Sequence, residues 1–335
     1  MGGREEMRAL VWDGPGRLSV RATVTPTPQE HWSVVGPAYS GICGSDLHVL
    51  AGKHPRARPG AILGHEFVGR VLDGSADLPA GTPVFVNPML PCRRCLACRA
   101  GHAHVCPHMR AIGIDLPGGL AERVLVPDEN LHELPRDLWL RDAALIEPVA
   151  VAVHGVERAR VHAGERVHVV GAGPIGVLAA LVARAAGAHV TISEPSSARR
   201  STAARLGLSL SGEPTDEIAA DVVFDAAGQP AAAGNLARWA RPRGRIVILA
   251  AYPPTPPKFD LLGVMFNELT VIGSRIYTEA DITRAIDLIA ADRLPTNDLI
   301  TDVVDLDEAP AAFEQLRHGG AMKILVRLGL AGASA

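Results

Sequence analysis

Residues 167–176 read Val167-His168-Val169-Val170-Gly171-Ala172-Gly173-Pro174-Ile175-Gly176, and the fold turns on how that stretch is taken. Val167 to Val170 is a short β-like run, and three glycines stand at G-x-G-x-x-G spacing directly behind it. Ile175, Leu178, Leu181, Val182 and Ala185 then recur with helical period, and Gly187 is a natural stop. Strand, glycine turn and helix in that order are the context in which this motif cradles a dinucleotide. Gly171 permits the tight turn, Gly173 lets the backbone approach a pyrophosphate, and Gly176 lets the helix pack closely on the strand. The helix N-terminus then faces the phosphates with its positive end. A second β-like run, Val190-Thr191-Ile192-Ser193, ends at Glu194. An acid there accepts hydrogen bonds from the adenosine ribose hydroxyls and repels a 2′-phosphate, so NAD is expected over NADP. Arg199 and Arg200 pull the other way, since an arginine can hold a 2′-phosphate.

Outward from this motif, Val222-Val223-Phe224 and Arg245 to Leu249 continue the β-like runs, with the Ala-rich segment Ala231 to Ala240 predicted as a helix between them. Leu269 to Ser274 reads as a last strand of the same sheet, followed by a helix around Asp281 to Ala291 and a final β-like piece, Lys323 to Val326. Strands alternating with helices imply βαβ units and a doubly wound parallel sheet. The first 150 residues have another texture: short β-like runs at Val34-Val35, Phe67–Leu72, Pro83–Val86 and Arg123–Val126, broken by Gly and Pro. The expectation is an α/β chain of two domains. Residues 1–152, completed by 283–335, form a β-rich domain, and residues 153–282 form the dinucleotide-binding domain.

With 335 residues, 47% hydrophobic and 21% charged, the chain has an ordinary globular composition, which argues against disorder, coiled coils and fibrous repeats. A net charge of −3 provides no basic field for nucleic acid or anionic lipid. No apolar stretch is long enough for a membrane span, and the N-terminal residues lack the apolar core of a signal peptide. A soluble, cytoplasmic protein acting on a small molecule is expected.

The five cysteines are an odd number, and Cys92, Cys95, Cys98 and Cys106 fall in one short segment. That spacing favours metal over disulfides, and four thiolates in one loop close a tetrahedral site, the mark of a structural zinc. An iron–sulfur cluster is the rival, but the ferredoxin run has three residues before its last cysteine where this chain has seven. His102, His104 and His108 crowd the same loop and read as exposed side chains. The chain has three lysines, Lys53, Lys258 and Lys323, and none sits in a recognisable Schiff-base motif.

Three further segments carry chemistry: Gly41-Ile42-Cys43-Gly44-Ser45-Asp46-Leu47-His48, Leu63-Gly64-His65-Glu66-Phe67-Val68-Gly69, and Ile146-Glu147-Pro148. Together with the four-cysteine loop and the glycine turn, in this order, they resemble the zinc-dependent medium-chain alcohol dehydrogenases over nearly the whole chain. The run from Glu147 to His154 is most similar to the polyol branch of sorbitol, butanediol and threonine dehydrogenases. The resemblance implies a GroES-like catalytic domain beside a Rossmann domain, two zinc ions per chain, and hydride transfer between NAD(H) and a secondary alcohol or ketone. It also implies a homodimer or homotetramer in which Leu269 to Ser274 pairs across a two-fold.

With four cysteines in the structural loop, only Cys43 remains for the catalytic zinc. The resemblance then implies Cys43, His65 and an acid as ligands. Glu66 and Glu147 are both candidates: either binds directly while the other contacts a bound water. Ser45 takes the alcohol proton, and the route ends at His48, a residue type that titrates near neutrality. Asp46 receives the other N–H of His65 and so fixes its tautomer. Ile175 packs near the nicotinamide phosphates, Leu249 and Ala251 line the nicotinamide pocket, and Arg275 lies near substrate and cofactor. Val49 and Ile276 stand where sorbitol dehydrogenases place tyrosines, which turns the expected substrate away from sorbitol towards a smaller diol, an amino alcohol or a cyclitol. Two other readings are an NADPH-linked aldehyde or ketone reductase and a non-catalytic zinc- and dinucleotide-binding relative.

Overall fold

The computed structural model describes residues 5–73, 78–211, 218–252, 255, 257–319 and 321–328. The chain divides into two units, Met1–Glu147 with Leu299–Ala335, and Pro148–Asp298. The sequence boundaries were expected at 152/153 and 282/283; the observed cuts fall at Glu147/Pro148 and Asp298/Leu299. The helix Glu279–Ala290 stays with the second unit because it buries Ile282, Ala285, Leu288 and Ile289 there. Its Asp281 also bonds His154 of the helix Ile146–Ala159 at 2.8 Å.

Among its described residues the second unit holds a six-stranded sheet. From one edge to the other the order is Ser209–Leu210, His189–Ser193, Arg166–Val170, Ala220–Asp225, Ala240–Ile248 and Thr270–Gly273, every pair parallel. The chain starts at Arg166–Val170, runs to one edge, then returns to fill the other side. The switch point therefore lies between Arg166–Val170 and Ala220–Asp225, and in sheets wound this way ligands bind outside the carboxyl ends of the strands at that point. The helix Pro174–Ala185 starts there, with Pro174 in its first turn and Gly173 as N-cap. It buries every residue from Gly176 to Ala183, and Gly187 follows its end at φ +88°. The Ala-rich segment does not form one helix. It breaks into Pro230–Ala233 and Leu236–Trp239 at Gly234-Asn235, and Ala240 enters the sheet opposite Ala220.

The first unit is built round a sheet ordered Leu131–Glu133, Pro83–Val86, Glu66–Asp73, Trp32–Gly41, Lys323–Arg327 and Ile300–Asp305, with Val124–Pro127 also pairing to Trp32–Gly41. The strand Lys323–Arg327 runs antiparallel to Trp32–Gly41, with Leu325 opposite Gly41, and Gly41 in turn lies opposite Glu66. Leu10, Ile42, Leu63, Leu120, Phe313 and Ile324 form one buried cluster beside it, so the C-terminal segment completes a core begun by the first residues.

His168 is fully buried in the middle strand of the second unit's sheet. Its ring nitrogens meet the hydroxyls of Thr191 and Ser193 at 3.0 and 3.1 Å, and its edge packs on Trp239. Burial pushes its pKa down to about 4 from 6.5. The folded state thus binds this proton less readily than the unfolded chain. The resulting stability is complete above pH 6.5 and is lost as the pH falls towards 4, a loss of about 3 kcal/mol. Urea unfolding measured across that window is expected to show the fall, and His168→Asn is expected to flatten it.

Candidate active site

In the first unit, Cys43 is the N-cap of the short helix Gly44–Leu50. Its backbone N–H donates to the Asp46 carboxylate at 2.9 Å, which locks the turn carrying the thiol. His65 and Glu66 arrive at the start of the strand Glu66–Asp73. The thiol of Cys43, a ring nitrogen of His65 and a carboxylate oxygen of Glu66 lie within 4.8 Å of one another. His65 and Glu66 are buried and Cys43 is half-buried. Asp46, fully buried, faces Nδ1 of His65 with Oδ1 at 3.4 Å, an ion-pair distance outside hydrogen-bonding geometry. Nε2 is left on the other side of the ring, 3.2 Å from the Ser45 hydroxyl. Burial works against a charged His65, but the Asp46 carboxylate and the Cys43 sulfur outweigh it and hold the imidazole pKa well above its ordinary value.

A thiolate, an imidazole and a carboxylate converging in a buried place are the donor set of a metal centre that keeps an open position. Glu147 is buried in the first turn of the helix Ile146–Ala159 but stands outside that tight group. Its charge is felt by Lys323, a residue the sequence reading passed over. The Lys323 ammonium is buried and donates to Glu66 Oε2 at 2.5 Å and to the carbonyl of Ile42 at 3.3 Å. Burial disfavours its charge, yet Glu66, Cys43 and Glu147 together keep its pKa above the ordinary lysine value. The signal was a charged residue opening an otherwise apolar strand run. Ser45 is half-buried and His48 exposed, one turn apart on the helix Gly44–Leu50.

The sulfur atoms of Cys92, Cys95, Cys98 and Cys106 likewise lie within 4.8 Å of one another, while His102, His104 and His108 stay outside the group. Cys95 and Cys98 sulfurs are 3.4 Å apart, and Cys95 and Cys106 3.8 Å. The backbone N–H of Arg94 pulls the Cys92 thiol down to about 6, whereas burial and its sulfur neighbours push Cys98 up to about 12. Four thiols so crowded cannot all ionise unaided, so the loop is a donor set suited to a cation.

In the second unit, Gly171 has φ +97°, a left-handed turn that glycine adopts without strain. A Cβ on Gly176 would stand 1.9 Å from the Gly171 carbonyl oxygen, whereas nothing lies within 4 Å of one built on Gly173. Close helix–strand packing at one glycine and open space at the other fit the approach of a pyrophosphate. Glu194 is buried beside this turn. Its Oε2 accepts the Ala172 N–H at 2.8 Å and its Oε1 the Ser196 N–H at 2.9 Å. Ile175 is half-buried in the first turn of the following helix, and Arg199 is exposed on the helix Ser197–Arg205.

Leu249 and Ala251 follow the strand Ala240–Ile248, and Leu249 packs onto Gly155, where a Cβ would come within 2.6 Å of it. Asp225, missed in the sequence, ends its strand beside them. It is fully buried, accepting backbone N–H bonds from Ala227 and Gly228 and the Tyr252 hydroxyl at 2.5 Å. Arg275 is exposed. Its neighbour Ile276 holds a left-handed φ of 56°, unusual for a β-branched residue, and the Ser274 hydroxyl is buried without a hydrogen-bond partner among the described residues.

A β-rich unit with a converging thiolate, imidazole and carboxylate, joined to a doubly wound dinucleotide-binding unit, defines a metal-dependent dehydrogenase. Residues 29–136 match the alcohol dehydrogenase GroES-like domain family and residues 174–291 the zinc-binding dehydrogenase family. The chain belongs to the zinc-dependent medium-chain dehydrogenases and, within them, to the polyol dehydrogenases. It is similar to 2-dehydro-3-deoxy-L-galactonate 5-dehydrogenase of Pseudoalteromonas atlantica, 37% identical over 83% of this chain and 86% of that protein. It is also similar to sorbitol dehydrogenase of Halalkalibacterium halodurans, 31% identical over 96% and 99%. A zinc-binding dehydrogenase from Sinorhizobium meliloti, solved bound to NADP, superposes with a TM-score of 0.91 at 33% identity, covering 97% of this chain and 100% of that one. The protein is an oxidoreductase that transfers hydride between a secondary alcohol and a ketone. No helix among the described residues is long and apolar enough to cross a membrane.

Gly176 offers a direct check on the dinucleotide turn. Gly176→Ala is expected to weaken dinucleotide binding about tenfold or more, because the added methyl must displace the Gly171 carbonyl. Fluorescence titration with NADH measures it.

Proposed function

We propose that the protein is an NAD-dependent dehydrogenase that oxidises one secondary hydroxyl of a small polyhydroxylated substrate, a sugar alcohol, aldonate, diol or cyclitol, and runs in either direction. The observation that carries this reading is the convergence of Cys43, His65 and Glu66 within 4.8 Å in a buried place. Cys43, His65 and Glu66 hold a catalytic zinc, with Glu147 as the alternating or water-mediated acid, and Cys92, Cys95, Cys98 and Cys106 hold a structural one. When bound, the zinc would supply Lewis acidity towards the substrate hydroxyl and the nicotinamide a hydride acceptor.

The protein's own groups do the rest. The Asp46 carboxylate, 3.4 Å from Nδ1, attracts that side of the His65 ring and leaves Nε2 for the metal. The Ser45 hydroxyl accepts the alcohol proton, and His48, exposed one turn further on, releases it to water. Gly171, Gly173, Ile175 and Gly176 cradle the pyrophosphate. Glu194 receives the adenosine ribose hydroxyls, with Arg199 at the outer rim. Leu249 and Ala251 border the nicotinamide, and Arg275 reaches the substrate. Without its proton exit the reaction slows: His48→Ala is expected to reduce kcat by about 100-fold, read in steady-state assays, with zinc content unchanged.

A second copy of the chain completes the assembly, a homodimer or homotetramer. The strand Thr270–Gly273 is an edge of its sheet with Val271 exposed, and the nearby helix Leu261–Phe266 presents Leu261, Leu262, Met265 and Phe266 at 60–72% exposure. Apolar side chains so concentrated beside a free strand edge suit a two-fold contact.

An NADP-linked activity is the second reading, favoured by the Sinorhizobium meliloti structure, which is bound to NADP. Turnover of the zinc-replete protein on vicinal diols, polyols, aldonates and cyclitols, with NAD⁺ and NADP⁺ side by side, decides between them. Preference for NAD⁺ is expected, and Glu194→Ala is expected to erode it by about 10- to 100-fold, the loss of charge-assisted hydrogen bonds. Preference for NADP⁺ in the wild type favours the second reading. Absence of turnover across the whole panel argues against both.

A further inference from the structure

The buried lysine at the catalytic centre has no part in the chemistry described so far. Lys323 opens the C-terminal strand Lys323–Arg327, which pairs with Trp32–Gly41. That register carries its side chain past Gly41 to the turn that presents Cys43. Its ammonium takes two acceptors there, Glu66 Oε2 at 2.5 Å and the Ile42 carbonyl, immediately before Cys43, at 3.3 Å. Both members of the ion pair are almost wholly buried, Lys323 at 4% and Glu66 at 1% exposure. A second feature serves the same contact. A Cβ on residue 41 would lie 2.4 Å from Glu66 Oε2, so only glycine leaves the carboxylate room to lie where Lys323 meets it.

We propose that Lys323 is the positioning residue of the metal centre: by holding Oε2 it restricts Glu66 to one oxygen on the metal, and so keeps a coordination position open for the alcohol. A carboxylate can bind a cation through one or both oxygens, and a freed Glu66 would close on the metal with the second. The lysine also offsets charge. Cys43, Glu66, Glu147 and the Asp46 carboxylate beside His65 supply four negative charges to a divalent cation and a neutral imidazole, and Lys323 cuts the excess from two to one before substrate enters. The anchor on Ile42 ties the same ammonium to the loop of Cys43, so one side chain sets the spacing between two ligands 23 positions apart in sequence. This inference rests on the reading of Cys43, His65 and Glu66 as the metal site.

Cobalt substituted at the catalytic site alone, with zinc retained at the four-cysteine loop, is the direct readout, because its visible absorption weakens as coordination rises from four to five. The wild-type protein is first tested for metal content and for the intense visible bands of a four-coordinate site with a thiolate ligand. If those bands are absent from a protein that holds metal only at its four-cysteine loop, the underlying site reading fails. Given those bands, Lys323→Met is expected to weaken them, to reduce kcat/KM by about 10- to 100-fold as loss of an outer partner does, and to leave the metal bound. Lys323→Arg is expected to restore most of the spectrum. Since Lys323→Met leaves a buried carboxylate unpaired and can fail to fold, a second variant tests the same point: Gly41→Ala displaces Oε2 with the lysine intact and is expected to weaken the bands as Lys323→Met does. Bands of wild-type intensity in folded Lys323→Met or Gly41→Ala protein overturn the proposal.

Discussion

The antiparallel pairing of Lys323–Arg327 with Trp32–Gly41 is the contact on which the first unit depends. It sets residues 281 positions apart side by side, Lys323 against Ile42, and places Ile324 and Val326 in the same buried cluster as Leu10, Leu63 and Leu120. The first 147 residues therefore cannot finish their sheet alone. The Tyr39–Gly41 end of the strand Trp32–Gly41 would keep one side unpaired until the chain returns. Loop-closure entropy grows only slowly with length, so the penalty for so distant a partner is modest in stability. In folding rate it is larger, because non-local pairing must wait for the intervening unit.

The same pairing explains how a polar site survives inside this core. Asp46, His65, Glu66 and Lys323 are all buried within it. Buried charges destabilise unless each is matched, and removal of one partner leaves the other uncompensated. Here the matches come from different pieces of chain: Asp46 from the helix Gly44–Leu50, His65 and Glu66 from the start of a neighbouring strand, and Lys323 from the C-terminal strand. Sheet register, more than any local turn, brings these charges together. A slip of one residue between Lys323–Arg327 and Trp32–Gly41 would turn Lys323 to the opposite face of the sheet and strand Glu66. The arrangement thus penalises wrong registers and favours a single one.

Much of this was legible in sequence wherever the signal was local. The four cysteines sit in one loop, so spacing alone predicts their convergence, and the glycine turn follows its strand without interruption. The inner parallel strands of the second unit, Arg166–Val170 and Ala220–Asp225, read directly as short apolar runs, since nearly all of their residues are buried. The Ala-rich stretch misled because alanine propensity favours one continuous helix, whereas Gly234-Asn235 breaks it, Trp239 is buried and Ala240 is drawn into the sheet. Lys323 was illegible for another reason: its partner Glu66 lies 257 positions away, and composition gives no hint of which acid a buried lysine will meet. Asp225 was hidden similarly. An acid at the end of a strand looks like a solvated one until the backbone of Ala227 and Gly228 and the Tyr252 hydroxyl fold over it.

On the proposed reading, Glu194 would build cofactor selectivity from a side chain that the backbone holds still. Each carboxylate oxygen already holds one peptide N–H, Ala172 on the glycine turn and Ser196 at the entry to the next helix. Those bonds fix the orientation of the carboxylate before any nucleotide arrives, and each oxygen keeps a lone pair for a ribose hydroxyl. Side-chain ordering, which ordinarily detracts from affinity, has then already taken place in folding. A 2′-phosphate approaching the same place meets a buried anion that cannot swing away without giving up both backbone bonds. On the proposed reading the preference for NAD comes from this immobility as much as from charge. A glutamate free to rotate could turn outward and let a neighbouring arginine such as Arg199 receive the phosphate, whereas one tied at both oxygens repels it from a fixed position.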